Sequence, residues 1–372
     1  MSGVGNGAPV GETRQTAWAV AVAACPKHMQ HGPCAGVHPD GRCEITDVGA
    51  CSYLDLPPPT WPFPRHASPS AAPTNGLFAV ARTRAITVAD LPAAHLSAGS
   101  LSECAAVLAG ATDAVLIGDH GGARVQFPPS YRARLVADAG GAAWVGINCR
   151  DRNRVALEGE VAASVDAGAV GVHCVTGDHP QSGHRPDALP VFDLDSVDVV
   201  ALADAYTGKT GIAVSVAHAP ISPPAAIRLP RLLAKVAAGA SAVFIDHCGG
   251  RPAVATAVAE LRDHGFAGLV IACVPVVFDH GSALVLESFA GDRLPPGLVA
   301  RILGARDPGR AGEDAAVDYA AELLAVPGID GVNLSGGAAA GAELASARRM
   351  AATSARIREL AIAARPTALS TR

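Results

Sequence analysis

From Leu77 onward the chain alternates short apolar, β-branched runs with longer Ala- and Leu-rich stretches. Eight such runs stand out: Ala85–Val88, Ala114–Ile117, Trp144–Asn148, Val170–Val175, Ile212–Val216, Ala242–Ile245, Leu269–Val274 and Gly331–Leu334. A continuous apolar run, rather than a period-2 alternation, is what a strand shows when both of its faces are covered, as in a parallel sheet. The intervening stretches, among them Leu101–Ala109, Arg154–Ala167, Ala225–Ala238 and Ala253–His264, read as helices long enough to cross from one parallel strand to the next. Eight strand–helix units predict an α/β fold, a (βα)8 TIM-type barrel; an open doubly wound sheet is the alternative.

Composition divides the rest. Residues 1–56 hold four of the nine cysteines and read as a small cysteine-rich module. Residues 57–76 carry Pro57, Pro58, Pro59, Pro62, Pro64, Pro69 and Pro73, the composition of a stiff linker. The barrel is expected over residues 77–365. A net charge of −5 and no basic run argue against a nucleic-acid binder. The apolar stretch Ala17–Ala24 is far too short for a membrane span, and the N-terminus lacks the basic start of a signal peptide. Together these predict a cytoplasmic protein with no membrane or nucleic-acid partner, whose cysteines are reduced and serve as ligands or core residues.

In such a barrel the chemistry gathers at the C-terminal ends of the strands. There the sequence places Asp90 after strand 1, Asp119 and His120 after strand 2, and Cys149 and Arg150 after strand 3. Thr176, Gly177, Asp178 and His179 follow strand 4, His218 ends strand 5, Asp246 and His247 follow strand 6, and Asn333 and Ser335 lie at strand 8. Asp178, in a Gly-flanked loop, reads as a carboxylate facing a ligand, or more plainly as a turn cap. Arg150 is placed to reach an anionic group, whereas Arg152 and Arg154 read as a solvated helix start capped by Asp151. The histidines, beside Asp119 and Asp246, read first as hydrogen-bonded pocket residues and only second as metal ligands.

Cys25, Cys34, Cys43 and Cys51 are separated by eight, eight and seven residues. Four thiolates complete a tetrahedral zinc shell; an iron–sulfur cluster or simple free thiols are the alternatives. The other five cysteines lie in barrel elements and read as small core residues.

Several strings carry a resemblance. Cys149-Arg150-Asp151-Arg152-Asn153-Arg154 follows strand 3, Thr176-Gly177-Asp178-His179-Pro180 follows strand 4, and Pro190-Val191-Phe192-Asp193-Leu194-Asp195-Ser196 comes soon after. Lys235-Val236-Ala237-Ala238-Gly239-Ala240 precedes strand 6. Over about Leu77–Leu360 these resemble the methylenetetrahydrofolate reductase family. The segment Cys25-Pro26-Lys27-His28-Met29 through Gly32-Pro33-Cys34 and Asp40-Gly41-Arg42-Cys43-Glu44 to Cys51 is similar to the cysteine-rich module that accompanies some bacterial reductase barrels.

The resemblance implies an oxidoreductase that reduces a folate-bound one-carbon unit with NAD(P)H, through FAD or without it. It implies Asp178 as a catalytic group, with His247 and Asp90 as catalytic replacements for family groups this chain lacks, and Asp178, Asp246 and His247 as contacts to the reduced folate. Asp119, His120, Cys149, Arg150, Thr176, Gly177, His218 and Lys235 are implied for the cofactor. The chain departs from the family at three places. The acid expected three residues before Pro92 is Ala89, with Asp90 beside it; a Gln expected on strand 6 is His247; and Gly118, Ile221-Ser222-Pro223-Pro224 and Arg228 replace polar flavin contacts. These departures leave two rival readings: a repurposed folate-binding barrel doing non-reductive one-carbon chemistry, or a non-catalytic partner subunit. A homo-oligomer is also compatible with the pattern.

Overall fold

The computed structural model describes residues 10–58, 76–119, 123–207 and 211–363. Eight parallel strands close on themselves in sequence order: β1 (Ile86–Asp90), β2 (Ala114–Ile117), β3 (Ala143–Asn148), β4 (Gly171–Val175), β5 (Ala213–His218), β6 (Ala242–Ile245), β7 (Leu269–Pro275) and β8 (Gly331–Ser335). The (βα)8 barrel is therefore closed, and the open sheet is excluded. Twelve helices are described: α1 (Val10–Ala24), α2 (Gly76–Thr83), α3 (Ala98–Leu108), α4 (Pro129–Asp138), α5 (Arg154–Asp166), α6 (Ser196–Thr207), α7 (Ala225–Ala237), α8 (Arg251–Asp263), α9 (His280–Ala290), α10 (Leu298–Leu303), α11 (Pro308–Leu324) and α12 (Glu343–Ala363). Asn153 rather than Asp151 caps α5, its side chain accepting from Ala156 N at 3.1 Å. The expected linker lies mostly outside the described residues.

Strand parity sorts the side chains into two apolar layers. Ile86, Val88, Leu116, Trp144, Phe244 and Ile271 fill the lumen, closed at the N-terminal end by Leu77, Phe78 and Ala81 of α2. Ala89, Ile117, Ile147, Cys174, Val216 and Ile245 face the surrounding helices instead. Successive strand residues point to opposite sides, so the lumen row of each strand follows by counting in twos. Within the lumen the Trp144 and Phe244 rings meet edge to face at 5.1 Å, and Trp144 Nε1 donates to Ser215 Oγ at 2.8 Å. Gly171 makes room for this: a Cβ there would fall 2.6 Å from the indole.

The N-terminal module packs on the barrel rim. Around Cys43 the chain is tied by short antiparallel bridges, Val37 to Cys43 and Arg42 to Ala50, with Gly41 and Gly49 at positive φ between them. Among the described residues no helix is long and apolar enough to cross a membrane.

Candidate active site at the mouth of the barrel

β1 runs two residues further than its apolar run suggests, and Asp90 is its last residue. Counting from Ile86 and Val88 puts Asp90 on the lumen row and Ala89 among the helices, where it is fully buried. The position aligned with the reductase acid thus faces away from the mouth. Asp90 reaches the lumen with no bulge.

At the seam where the barrel closes, Asp90 Oδ1 accepts from Asn333 Nδ2 at 2.9 Å, and Oδ2 accepts from Gly336 N at 3.0 Å. Burial drives the Asp90 carboxyl up from 3.8 to about 6, against the pull of those two donors. Asn333 Oδ1 is buried with no protein partner. Cys273 pairs in register with Asn333 on β7, and burial lifts its thiol well above the ordinary range. Asp246, on the lumen side of β6, accepts from Arg293 Nη1 at 2.6 Å and from His247 N at 2.8 Å. Its carboxylate also helps to raise Asp90.

His247 takes the opposite parity. It is buried, stands 6.4 Å from the Phe289 ring, and leaves Nε2 without a partner. Burial lowers its pKa, so it is held neutral.

Asp178 belongs to a different cluster on the far side of the β2–β4 rim. Its carboxylate is 55% exposed and lies 3.9 Å from Arg124. Nearby, buried Arg150 pairs with Asp119 at 2.5 Å, and Asp119 also accepts from Gln126. Gly177, at φ +84°, is required here, because a Cβ would lie 2.9 Å from Asn148 Cβ. No contact joins Asp178 to His247 among the described residues: the former meets Arg124 and the latter meets Asp246 and Phe289. The expected pair therefore splits between two clusters, each with its own counter-ions.

Further candidates sit in the wall rather than the mouth. Cys149 Sγ points to Val175 O, and Thr176 Oγ1 bonds Ser196 Oγ at 3.3 Å. Lys235, buried on α7, donates to Ala217 O at 3.0 Å; burial, with Arg231 nearby, brings it down to about 7. His218 is brought down to about 3 by burial and by Lys235. His120 lies outside the described residues. The sequence reading places Asn333 at the end of strand 8 without a role, and it does not name Cys273 or Arg293. The counting rule that places Asp90 also places Asn333 and Cys273; nothing in the sequence flags Arg293.

The module reaches the second cluster. Lys27 Nζ donates to Gly177 O at 2.8 Å and pairs with Glu44 at 2.6 Å; Glu44 Oε1 accepts from His179 N at 2.7 Å. Asp195, at the start of α6, accepts from His31 N at 3.0 Å and His31 Nδ1 at 3.1 Å, and lies 3.4 Å from Arg231. His31, Asp195 and Asp198 bring three ligand atoms within 4.8 Å of one another, but Arg231 and backbone amides already serve the carboxylates.

Comparison with known proteins finds different likenesses for the two parts. The family model "Methylene-tetrahydrofolate reductase C terminal" matches residues 12–56. No curated protein matches the chain. Among solved structures, an uncharacterized protein from Clostridium thermocellum, which binds two copies of 5-methyl-5,6,7,8-tetrahydrofolic acid, is similar at 13% identity and TM-score 0.54, covering 76% of this chain and 97% of its own. A 2,3-dimethylmalate lyase of the PEP mutase/isocitrate lyase superfamily is similar at 12% identity and TM-score 0.43, covering 70% and 80%. An oxaloacetate acetylhydrolase is similar at 11% identity and TM-score 0.43, covering 72% and 81%.

These findings correct the reading of the barrel as a methylenetetrahydrofolate reductase. The family model bearing that name stops before β1, and the solved barrel of TM-score 0.54 is a binder of methyltetrahydrofolate. The oxidoreductase, FAD and NAD(P)H expectations rested on that reading and lose their basis with it.

Proposed function

We propose that the chain is a folate-binding barrel that holds a reduced folate across its strand ends and serves non-reductive one-carbon chemistry. The observation that carries this reading is the Asp90–Asn333 pair. The pyrimidine edge of a pterin offers an N–H and an amino group side by side, a pattern that adjacent acceptors satisfy. Asp90 supplies carboxylate lone pairs, and Asn333 Oδ1 is a buried acceptor awaiting a donor. The oxygen assignment of Asn333 follows from its amide donating to a carboxylate. The similar Clostridium thermocellum barrel binds 5-methyltetrahydrofolate, which supports this ligand class. Asp90, raised to about 6, is the mouth group able to exchange a proton near neutral pH.

Calorimetric titration with 5-methyltetrahydrofolate tests the proposal, alongside incubation with NADH and methylenetetrahydrofolate. Saturable folate binding without NADH oxidation is expected. Failure to bind the folate, or stoichiometric NADH oxidation, overturns it.

A further inference from the structure

Cys25, Cys34, Cys43 and Cys51 all line one cavity in the module, and Lys27 and Tyr53 line it with them. All four are free thiols. The backbone holds them there: Cys43 N bonds Gly49 O at 2.8 Å, Cys51 N bonds Gly41 O at 2.9 Å, and His28 N bonds Cys25 O at 2.9 Å. From outside, Arg228 of α7 donates to Cys34 O at 2.9 Å and Pro33 O at 3.1 Å. Among the described residues the module's core is small, a cluster around Ala21, Met29 and Tyr53 with Val37 and Ile45 buried beside it. A unit so poor in apolar contacts gains much from a central ligand.

Four converging thiols in a small module fit a metal centre. A single zinc ion, bonded at roughly 2.3 Å, would hold its sulfurs about 3.8 Å apart. The His31, Asp195 and Asp198 trio is the group of three whose ligand atoms come within 4.8 Å among the described residues; no three of the thiols do. The wider spacing suits an iron–sulfur cluster.

The cavity is wired to the mouth. Lys27 lines it and at the same time holds Gly177 O, while Glu44, next to Cys43, holds both Lys27 and His179 N. The approach of Glu44 is built in: a Cβ on Gly36 would lie 1.7 Å from its carboxylate. Lys27 and Glu44 thus grip both sides of Asp178, and neither residue is a thiol ligand.

We infer that the four thiols hold an iron–sulfur cluster whose presence fixes, through Lys27 and Glu44, the 177–179 loop at the rim of the mouth. The consequence for folate affinity rests on the function proposed above; the consequence for the loop does not.

The test uses the full chain purified without oxygen. Iron and acid-labile sulfide are measured, alkylation of the four thiols is followed, and amide exchange is read at residues 177–179. The expected protein carries iron and sulfide, resists alkylation at the module, and on removal of the cluster by a chelator exchanges at least tenfold faster at 177–179. Lys27→Met should keep the cluster and still speed exchange there. If Cys51→Ser does not fold, chelator treatment and Lys27→Met carry the test alone. Stoichiometric zinc, freely alkylated thiols in the folded chain, or cluster loss with unchanged exchange at 177–179 each overturn the inference. A folate titration on the same samples separates the two claims: loosened exchange with no folate binding in any sample sinks the folate reading and leaves this one standing.

Discussion

Asp90 and Asn333 lie 243 residues apart in the chain and 2.9 Å apart in the fold, because β1 and β8 are the strands that close the barrel. The mouth is therefore completed only when the last strand docks beside the first. The same closure traps a carboxylate where water is scarce, which is why its pKa rises from 3.8 to about 6.

That rise has a sign. A carboxyl that holds its proton more tightly in the folded chain contributes stability below its unfolded pKa, and this is lost as pH climbs from 3.8 to about 6. Full expression of the shift corresponds to about 3 kcal/mol. Asp90→Asn should therefore gain stability relative to wild type as pH rises through that window, with a flat difference above it. Urea unfolding at a series of pH values measures this, and a difference independent of pH would count against the assigned shift.

The module latch titrates at both ends. Asp195 is held well below the usual carboxylate range; its burial opposes this, and Arg231 and His31 outweigh it. Its stabilisation is present above the unfolded value of 3.8 and fades as pH falls below it. His31 is raised above 6.5 by Asp195 against the opposing effect of burial, so its share is complete below 6.5 and fades as pH rises through the higher folded value. Docking should be tightest between these limits. Asp195→Asn, which strands buried Arg231, should cost about 3–5 kcal/mol and expose the module to protease. Unchanged proteolysis across pH 3 to pH 9 would remove the latch.

How far the sequence reached follows from what periodicity encodes. Eight apolar runs mark eight strands because both faces of each are covered, and all eight are present within one to two residues at each end. The mouth was less legible. Alignment on Pro92 points to position 89, whereas alternation from Ile86 and Val88 selects Asp90 for the lumen. Alignment likewise points to His247 on strand 6, whereas parity with Phe244 puts Asp246 on the lumen row. Contacts between distant segments, such as Arg293 with Asp246 or Lys27 with Gly177, leave no local signature, since each side chain is an ordinary surface cation until the fold brings its partner near.

Two glycines separate backbone strain from crowding. Gly110 and Gly177 share a positive φ of 74° and 84°, but only Gly177 has a neighbour where a Cβ would go. Each Gly→Ala change should cost about 1–2 kcal/mol for the left-handed backbone. Gly177→Ala should cost more than Gly110→Ala, and should also weaken folate binding by displacing Asn148 or the loop. Equal losses in thermal unfolding would mean that Asn148 yields freely.

The claim on which the rest depends is that Asp90 and Asn333 hold the pterin. Calorimetric titration of 5-methyltetrahydrofolate into wild type, Asp90→Ala and Asn333→Ala measures it directly. The account predicts saturable binding to the wild-type chain and affinity at least tenfold weaker in each variant, a loss of about 1.4 kcal/mol or more. Equal affinity in all three folded proteins would contradict it.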